Sequence, residues 1–292
     1  EPLVKLEDLK GQMSQIKQEI NARNLGINGK YLGALLWELQ DKNVYTKDNV
    51  LSWVSAFVNA VSLAGENNDE LKQLVDLFDN HLKDPVIASK WLTALANGVR
   101  EADKKAGVLV KIMTKLQDQI VDADIVVQWV PIIVKVIAQA GEGSGELETS
   151  VEYLKEKLVD PKTFEDLLLP IAKALSKKID KASTKVNDVL IRLKSVIAPD
   201  NIDFFVQAIV SSIEKADVQG GLIPDFVGAM LGLEKDQTKK TSLALAVMKR
   251  AAGDKGFLVL FNETKYTKVW QEEKSKKIIR TLMSFLEGDK PR

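Results

Sequence analysis

The chain has 292 residues, no cysteine, one histidine, and 41 basic against 41 acidic side chains. Without cysteine there is no disulfide, no thiolate nucleophile and no cysteine metal site. A net charge of zero leaves no field to gather nucleic acid or an anionic membrane.

The start at Glu1-Pro2, without a methionine, reads as a processed or trimmed end and favours a secreted or cell-surface chain over a cytoplasmic one. Residues 1–45 read as a degenerate hairpin. Leu9, Met13, Ile16 and Ile20 form one stripe, Asn28-Gly29 breaks it, and a second helix is predicted from about Tyr31 to Gln40. A hairpin that fits its neighbours' register only in part is what a terminal cap needs, because one of its faces has no neighbour to pack on.

From residue 46 to 272 the chain is periodic. Trp53, Trp91 and Trp129 stand 38 residues apart, and the same step leads on to Leu167, Phe205 and Leu243. A second column reads Val54, Leu92, Val130, Leu168, Val206, Ala244, and a third reads Phe57, Leu95, Ile133, Ile171, Ile209, Val247. The offsets between columns match one face of an α-helix. Copies open at Thr46, Asp84, Asp122, Asp160 and Asp236, side chains that can accept from the free N–H groups of a first helical turn; Pro85 and Pro161 follow where a missing N–H is harmless. The fifth copy moves this device to Pro199 and Asp200. Breaks are expected at Gly65, Gly107, Gly141 and Gly220, and second helices carry their own column of Val75, Met113, Val151 and Val189. A last amphipathic helix, with Ile278, Ile279, Leu282 and Phe285, closes the chain over 273–292.

The fold class this predicts is all-α. It is an α-solenoid of about six 38-residue two-helix repeats over 46–272, in a single domain 1–292 with helical caps at 1–45 and 273–292. In its period, and in Pro131 and Pro170 inside first helices, the array resembles the two-helix solenoids of the HEAT-repeat family. That resemblance concerns architecture over 46–272; no functional residue carries over from it. Net charges of successive copies alternate in sign, −3, +2, −4, +3, −4 and then +6 for 236–292, which favours correct stacking and penalises a slipped one. The basic excess at the end reads as a solvated capping face, so nucleic acid is not favoured as a partner. Apolar runs look short and interrupted, so no transmembrane segment is expected.

Candidate chemistry is sparse. His81 shares a column with Gln119, Lys157 and Ser195 and reads as solvent-facing. Gly141 to Gly145 follows a helix and lacks the lysine of a phosphate loop. Glu152 and Glu156 have ordinary surface spacing, and Asn262-Glu263-Thr264 is a three-residue glycosylation pattern of the kind chance supplies. The tryptophan column could stack a ligand, but tolerance of Leu167 and Phe205 marks it as core. No catalytic residue, metal site or cofactor is expected, and the chain reads as no enzyme. Two functions stay open: a binding or scaffold protein that uses the solenoid surface to hold another protein, and a carrier of a lipid or other apolar ligand between helix layers. Residues that break their own columns nominate the docking surface. Leu190, Phe204, Tyr266 and Trp270 are apolar where other copies are polar, and whichever of them are exposed are the expected partner-binding anchors.

Overall fold

In the computed structural model, residues 29–40, 46, 48–176, 183–216, 231–232 and 235–253 are described, and among them every regular element is a helix. Eleven α-helices follow in order: α1 Gly29–Gln40, α2 Val50–Ala64, α3 Asn68–Phe78, α4 Pro85–Ala102, α5 Ala106–Leu116, α6 Ala123–Ala140, α7 Ser144–Leu154, α8 Pro161–Leu175, α9 Ser183–Leu193, α10 Ile202–Ala216 and α11 Gln237–Gly253. Residues 1–28 and 254–292, which hold the first cap stripe, the last helix, Tyr266 and Trp270, lie outside the described residues.

The chain divides into two compact units, Glu1–Ala138 with Val159–Pro161, and Gln139–Leu158 with Lys162–Arg292. In the first, α2 packs along α4, α3 packs on both α4 and α5, and α1 packs against α2 and α3. In the second, α9 packs on α7 and α10, and α10 packs on α11. Helices of like length thus pack together, α2 with α4, α3 with α5, α7 with α9 and α10 with α11, beside contacts between short and long ones.

The register read from sequence recurs in the helix boundaries. The helices α4, α6 and α8 begin at Pro85, Ala123 and Pro161, 38 residues apart, as do α3, α5 and α7 at Asn68, Ala106 and Ser144. Asp84 caps α4 by accepting from the N–H groups of Val86 and Ile87 at 2.9 and 3.0 Å, and Asp122 does the same for Asp124 and Ile125 at 2.9 and 2.8 Å. Two helices start differently. The Asn49 and Asn201 side chains accept from the N–H groups of Thr46 and Ala198 at 2.7 and 2.8 Å, and α2 and α10 begin one residue after each asparagine. At the place where Pro199-Asp200 is expected to cap the helix, the Asn201 oxygen reaches back to the N–H of Ala198 rather than forward to the first turn.

The breaks also need one correction. Gly65 and Gly141 close α2 and α6 with φ of 62° and 58°, and the residue at the equivalent place after α4 is Asp103, with φ of 50°, rather than Gly107. Gly107 lies inside α5. The short helices α3, α5 and α7 each run eleven residues and tighten into a three-residue 3-10 turn, Asp79–His81, Gln117–Gln119 and Lys155–Lys157. Such a turn uses up carbonyls that the helix end would leave bare.

The columns form the core. Trp53, Trp91, Trp129, Leu167, Phe205 and Leu243 are all buried, as are the columns that begin at Val54 and Phe57. Each indole removes on the order of 200 Å² from water, about 5 kcal/mol of gross stabilisation. Packing is close enough to exclude side chains. The backbone of α4 passes α6 at Gly98, where an added methyl would overlap Val130 Cγ1.

The apolar stretch that begins with α6 is longer than the sequence reading expected. The continuous helical stretch Ala123–Lys157 is, by length and composition, long and apolar enough to cross a membrane. Gln128 and Lys135 interrupt the apolar letters of the sequence without interrupting the helix. Their spacing puts them on the outer face with Asp124 and Gln139, whereas Val126, Trp129, Ile133, Val136 and Ile137 are buried inside the fold.

Candidate functional site

The apolar columns commit one face of each long helix to the core, and helical geometry gathers the remaining residues into a stripe on the other face. On α2 that stripe is Ser52, Ser55 and Asn59; on α4 it is Ser89, Thr93 and Asn97; on α6 it is Val127 and Pro131. In the first unit these stripes lie side by side and line an open groove of about 1180 Å³. Its walls are apolar at Val86, 72% exposed, and Val127, 49% exposed. Its deepest lining is Ala56, Gly98 and Val130, and hydroxyls and amides stand above them. Asn59 and Asn97 are equivalent positions one repeat apart, both half-buried, and neither side chain has a hydrogen-bond partner among the described residues.

Charge in the groove is balanced. Lys90 Nζ lies 3.1 Å from Asp124, and Glu101 faces Arg100 at 3.8 Å. Both pairs are exposed, so each contributes only about 0–1 kcal/mol, but together they leave the groove without a demand for a charged ligand. On the α6 side, Pro131 has no N–H to give to the carbonyl of Val127, the acceptor it would serve in an uninterrupted helix. Both residues line the groove.

No protein-family model, curated protein or solved structure matches the chain. The groove is therefore read on its own chemistry alone. It offers shape, donors and acceptors. Among the described residues no three His, Asp or Glu side chains gather as a metal cage would need, and the groove lining includes neither histidine nor a pair of facing carboxylates.

The nominated anchors divide. Leu190 is 1% exposed, buried with Val186, Val189 and Leu193 on α9, so it is core and is withdrawn as a docking residue. Its apolar side chain stands where α3 and α5 carry Asp76 and Thr114 because that face of α9 is covered. Phe204 is 37% exposed and meets Phe205 edge-on, ring centroids 5.8 Å apart. In register it occupies the place of Ser52 and Lys90, which line the groove of the first unit. Its neighbours Asp203 and Gln207 line a smaller cleft of about 300 Å³ between α8 and α10. Tyr266 and Trp270 lie outside the described residues.

His81 is half-buried rather than solvent-facing. Its ring stacks on Trp91 at 5.3 Å and 18°, and Phe78 meets Trp91 at 4.9 Å. One other member of its column also reaches forward along the chain. In the second unit Lys157 Nζ donates to the Ile197 carbonyl at 2.5 Å, and burial holds that ammonium below the ordinary lysine range. A buried polar link was also missed. Ser150 Oγ donates to Asn187 Oδ1 at 2.6 Å, and Asn187 Nδ2 donates to the carbonyl and the carboxylate of Glu146, each at 3.2 Å. This link ties α7 to α9 in one register; an asparagine in a column of Gln73, Lys111 and Thr149 gave no sign of it.

Proposed function

We propose that the chain is a non-enzymatic binding protein, an α-solenoid of six hairpins between helical caps, that holds another protein on the outer face of its long helices. One observation carries this reading: the open groove across α2, α4 and α6, lined by two half-buried amides without internal partners. Half-buried amides without internal partners keep donors and acceptors open to a bound chain. The gapless 38-residue register and the matching helix starts support the solenoid. The exposed Phe204, in the same register as groove residues, supports the same face in the second unit.

The openness of the groove and its hydroxyl lining support macromolecular binding over the carriage of a lipid between helix layers, which calls for an enclosed apolar cavity. The test is site-specific photocrosslinking of the full chain in extracts of its source cells. A benzoylphenylalanine in place of Thr93 is expected to give a discrete protein adduct, and the same probe at Lys111, exposed on α5, is expected to give none. Adducts at Lys111 alone, or at neither position, would refute the assignment of this face.

A further inference from the structure

We infer that Asn97-Gly98 is a modification site that the fold holds shut: the Asn97 carboxamide is lost only when α4 opens, and the isomerised product bars that chain from closing again. Nothing in this depends on what the groove binds.

The chemistry needs only the chain and water. The Gly98 nitrogen, giving up its proton, attacks Asn97 Cγ; the new C–N bond closes a five-membered succinimide, and the side-chain amide leaves as ammonia. Water then adds to either ring carbonyl. One opening gives aspartate at 97. The other gives isoaspartate, in which the main chain runs on through the side-chain carboxyl and is one carbon longer. Glycine obstructs ring closure least, because it has no Cβ. Asn97 is free to react: it is half-buried on the lining of the open groove, and its carboxamide has no hydrogen-bond partner among the described residues.

Helix α4 withholds two things the reaction needs. In a helix interior the N–H of Gly98 is committed to the carbonyl of Ala94, four residues back. The Cα–Cβ bond of Asn97 tilts toward the helix N-terminus, away from the Gly98 nitrogen that must reach Cγ. Both restraints lapse together when α4 unwinds. Asn59 supplies an internal comparison. It holds the equivalent place on α2, half-buried and without a partner among the described residues, but Ala60 follows it, and that Cβ crowds the same attack.

The two products part at Gly98. There α4 comes so close to α6 that an added methyl would overlap Val130 Cγ1, so the helix is held in one register on both sides of the glycine. An extra carbon ahead of Gly98 displaces Val99 and Ala102, both buried, from the places that register sets, and it breaks the helical hydrogen bonds that span it. Aspartate keeps the backbone. It adds only a charge four residues from Glu101, a like pair of small cost on a helix surface.

The test is peptide mapping by mass spectrometry of the full chain held at mildly alkaline pH, folded or in denaturing urea, with aspartyl and isoaspartyl products separated by chromatography. In urea, Asn97 is expected to convert while Asn59 persists. Without urea, conversion at Asn97 is expected to be slower by about a hundredfold or more, because it waits on the opening of a core helix. Below the unfolding transition it should quicken with added urea in step with amide exchange of the same segment. Returned to native conditions, the isoaspartyl fraction is expected to stay unfolded by circular dichroism, whereas Asn97→Asp, made directly, melts close to the parent. Equal rates with and without urea, a folded-state rate that urea leaves unchanged, or conversion of Asn59 as fast as Asn97 would each overturn the proposal. Refolding of the isoaspartyl fraction to the parental melting curve would overturn it as well. If Asn97→Asp also stays unfolded, the charge rather than the added carbon bars refolding, and the account of the trap falls.

Discussion

Replacing Gly98 with alanine sets two effects of similar size against each other. In a helix interior the change ordinarily gains about 1 kcal/mol, because glycine has the larger conformational entropy to lose. At this position the new Cβ would overlap Val130 Cγ1 and come within 3.2 Å of Leu109 Cδ2. Both neighbours are buried, and a valine in a helix has essentially one χ1 rotamer, so it cannot turn aside. Overpacking of this kind costs about 1–3 kcal/mol. The net expectation runs from neutral to about 2 kcal/mol of destabilisation, read from urea unfolding followed by circular dichroism. Gly107→Ala is the control, since nothing lies within 4 Å of its Cβ, and it should gain up to about 1 kcal/mol. Val130→Ala removes the obstructing methyl, so Gly98→Ala made in that background should be about 1–2 kcal/mol less harmful than in the parent. If Gly98→Ala stabilises the parent as much as Gly107→Ala does, the close approach of α4 to α6 is not what keeps a glycine there.

Asp103→Gly should stabilise by about 1–2 kcal/mol, because Asp103 holds a φ of 50° where Gly65 and Gly141 hold 62° and 58°; a lower melting temperature would show that its side chain outweighs the strain. Trp129→Ala should cost about 3–5 kcal/mol, and unchanged thermal unfolding would contradict its place in the core. Lys157 sheds its proton at lower pH in the folded chain than in the unfolded one, because burial disfavours the ammonium. The unfolded state therefore holds more protons in the interval below the ordinary value of 10.5, and stability rises with pH there. Parallel melting curves for the parent and Lys157→Met, from neutral pH upward, should show the parent gaining on the variant; a constant gap would refute this.

The fold was legible where the sequence repeats itself. A bulky residue at one place in six copies, as from Trp53 to Leu243, has few explanations besides burial. The starts of α4, α6 and α8 followed from Asp or Pro at fixed offsets. Reading failed where a copy uses a different residue for the same task. Asp103 turns the chain as Gly65 does, where the nearest glycine is at 107, and before α10 the Asn201 side chain serves the N–H of Ala198 where Asp200 is expected to cap the first turn. It failed again where burial departs from the column, as at Leu190 and Asn187, because covering by a neighbour leaves no local mark. The groove was hidden for the opposite reason. Serines, a threonine and asparagines on an outer face look like ordinary surface, and Asn59 and Asn97 stand in a column that stays polar throughout, with Lys135, Lys173, Ser211 and Lys249 after them.

The apolar helix α6 bears on how the chain is made. In water and alone, its valines, isoleucines and Trp129 form a surface that a bilayer or a chaperone would take up as readily as a folding partner would. Synthesis runs from the N-terminus, so α4 has already emerged when α6 does, with Gly98 ready to receive Val130. Immediate docking on the preceding helix keeps this segment out of competing hands. A change that slows docking at Gly98 should then lower the yield of folded chain in cells by more than its effect on equilibrium stability accounts for.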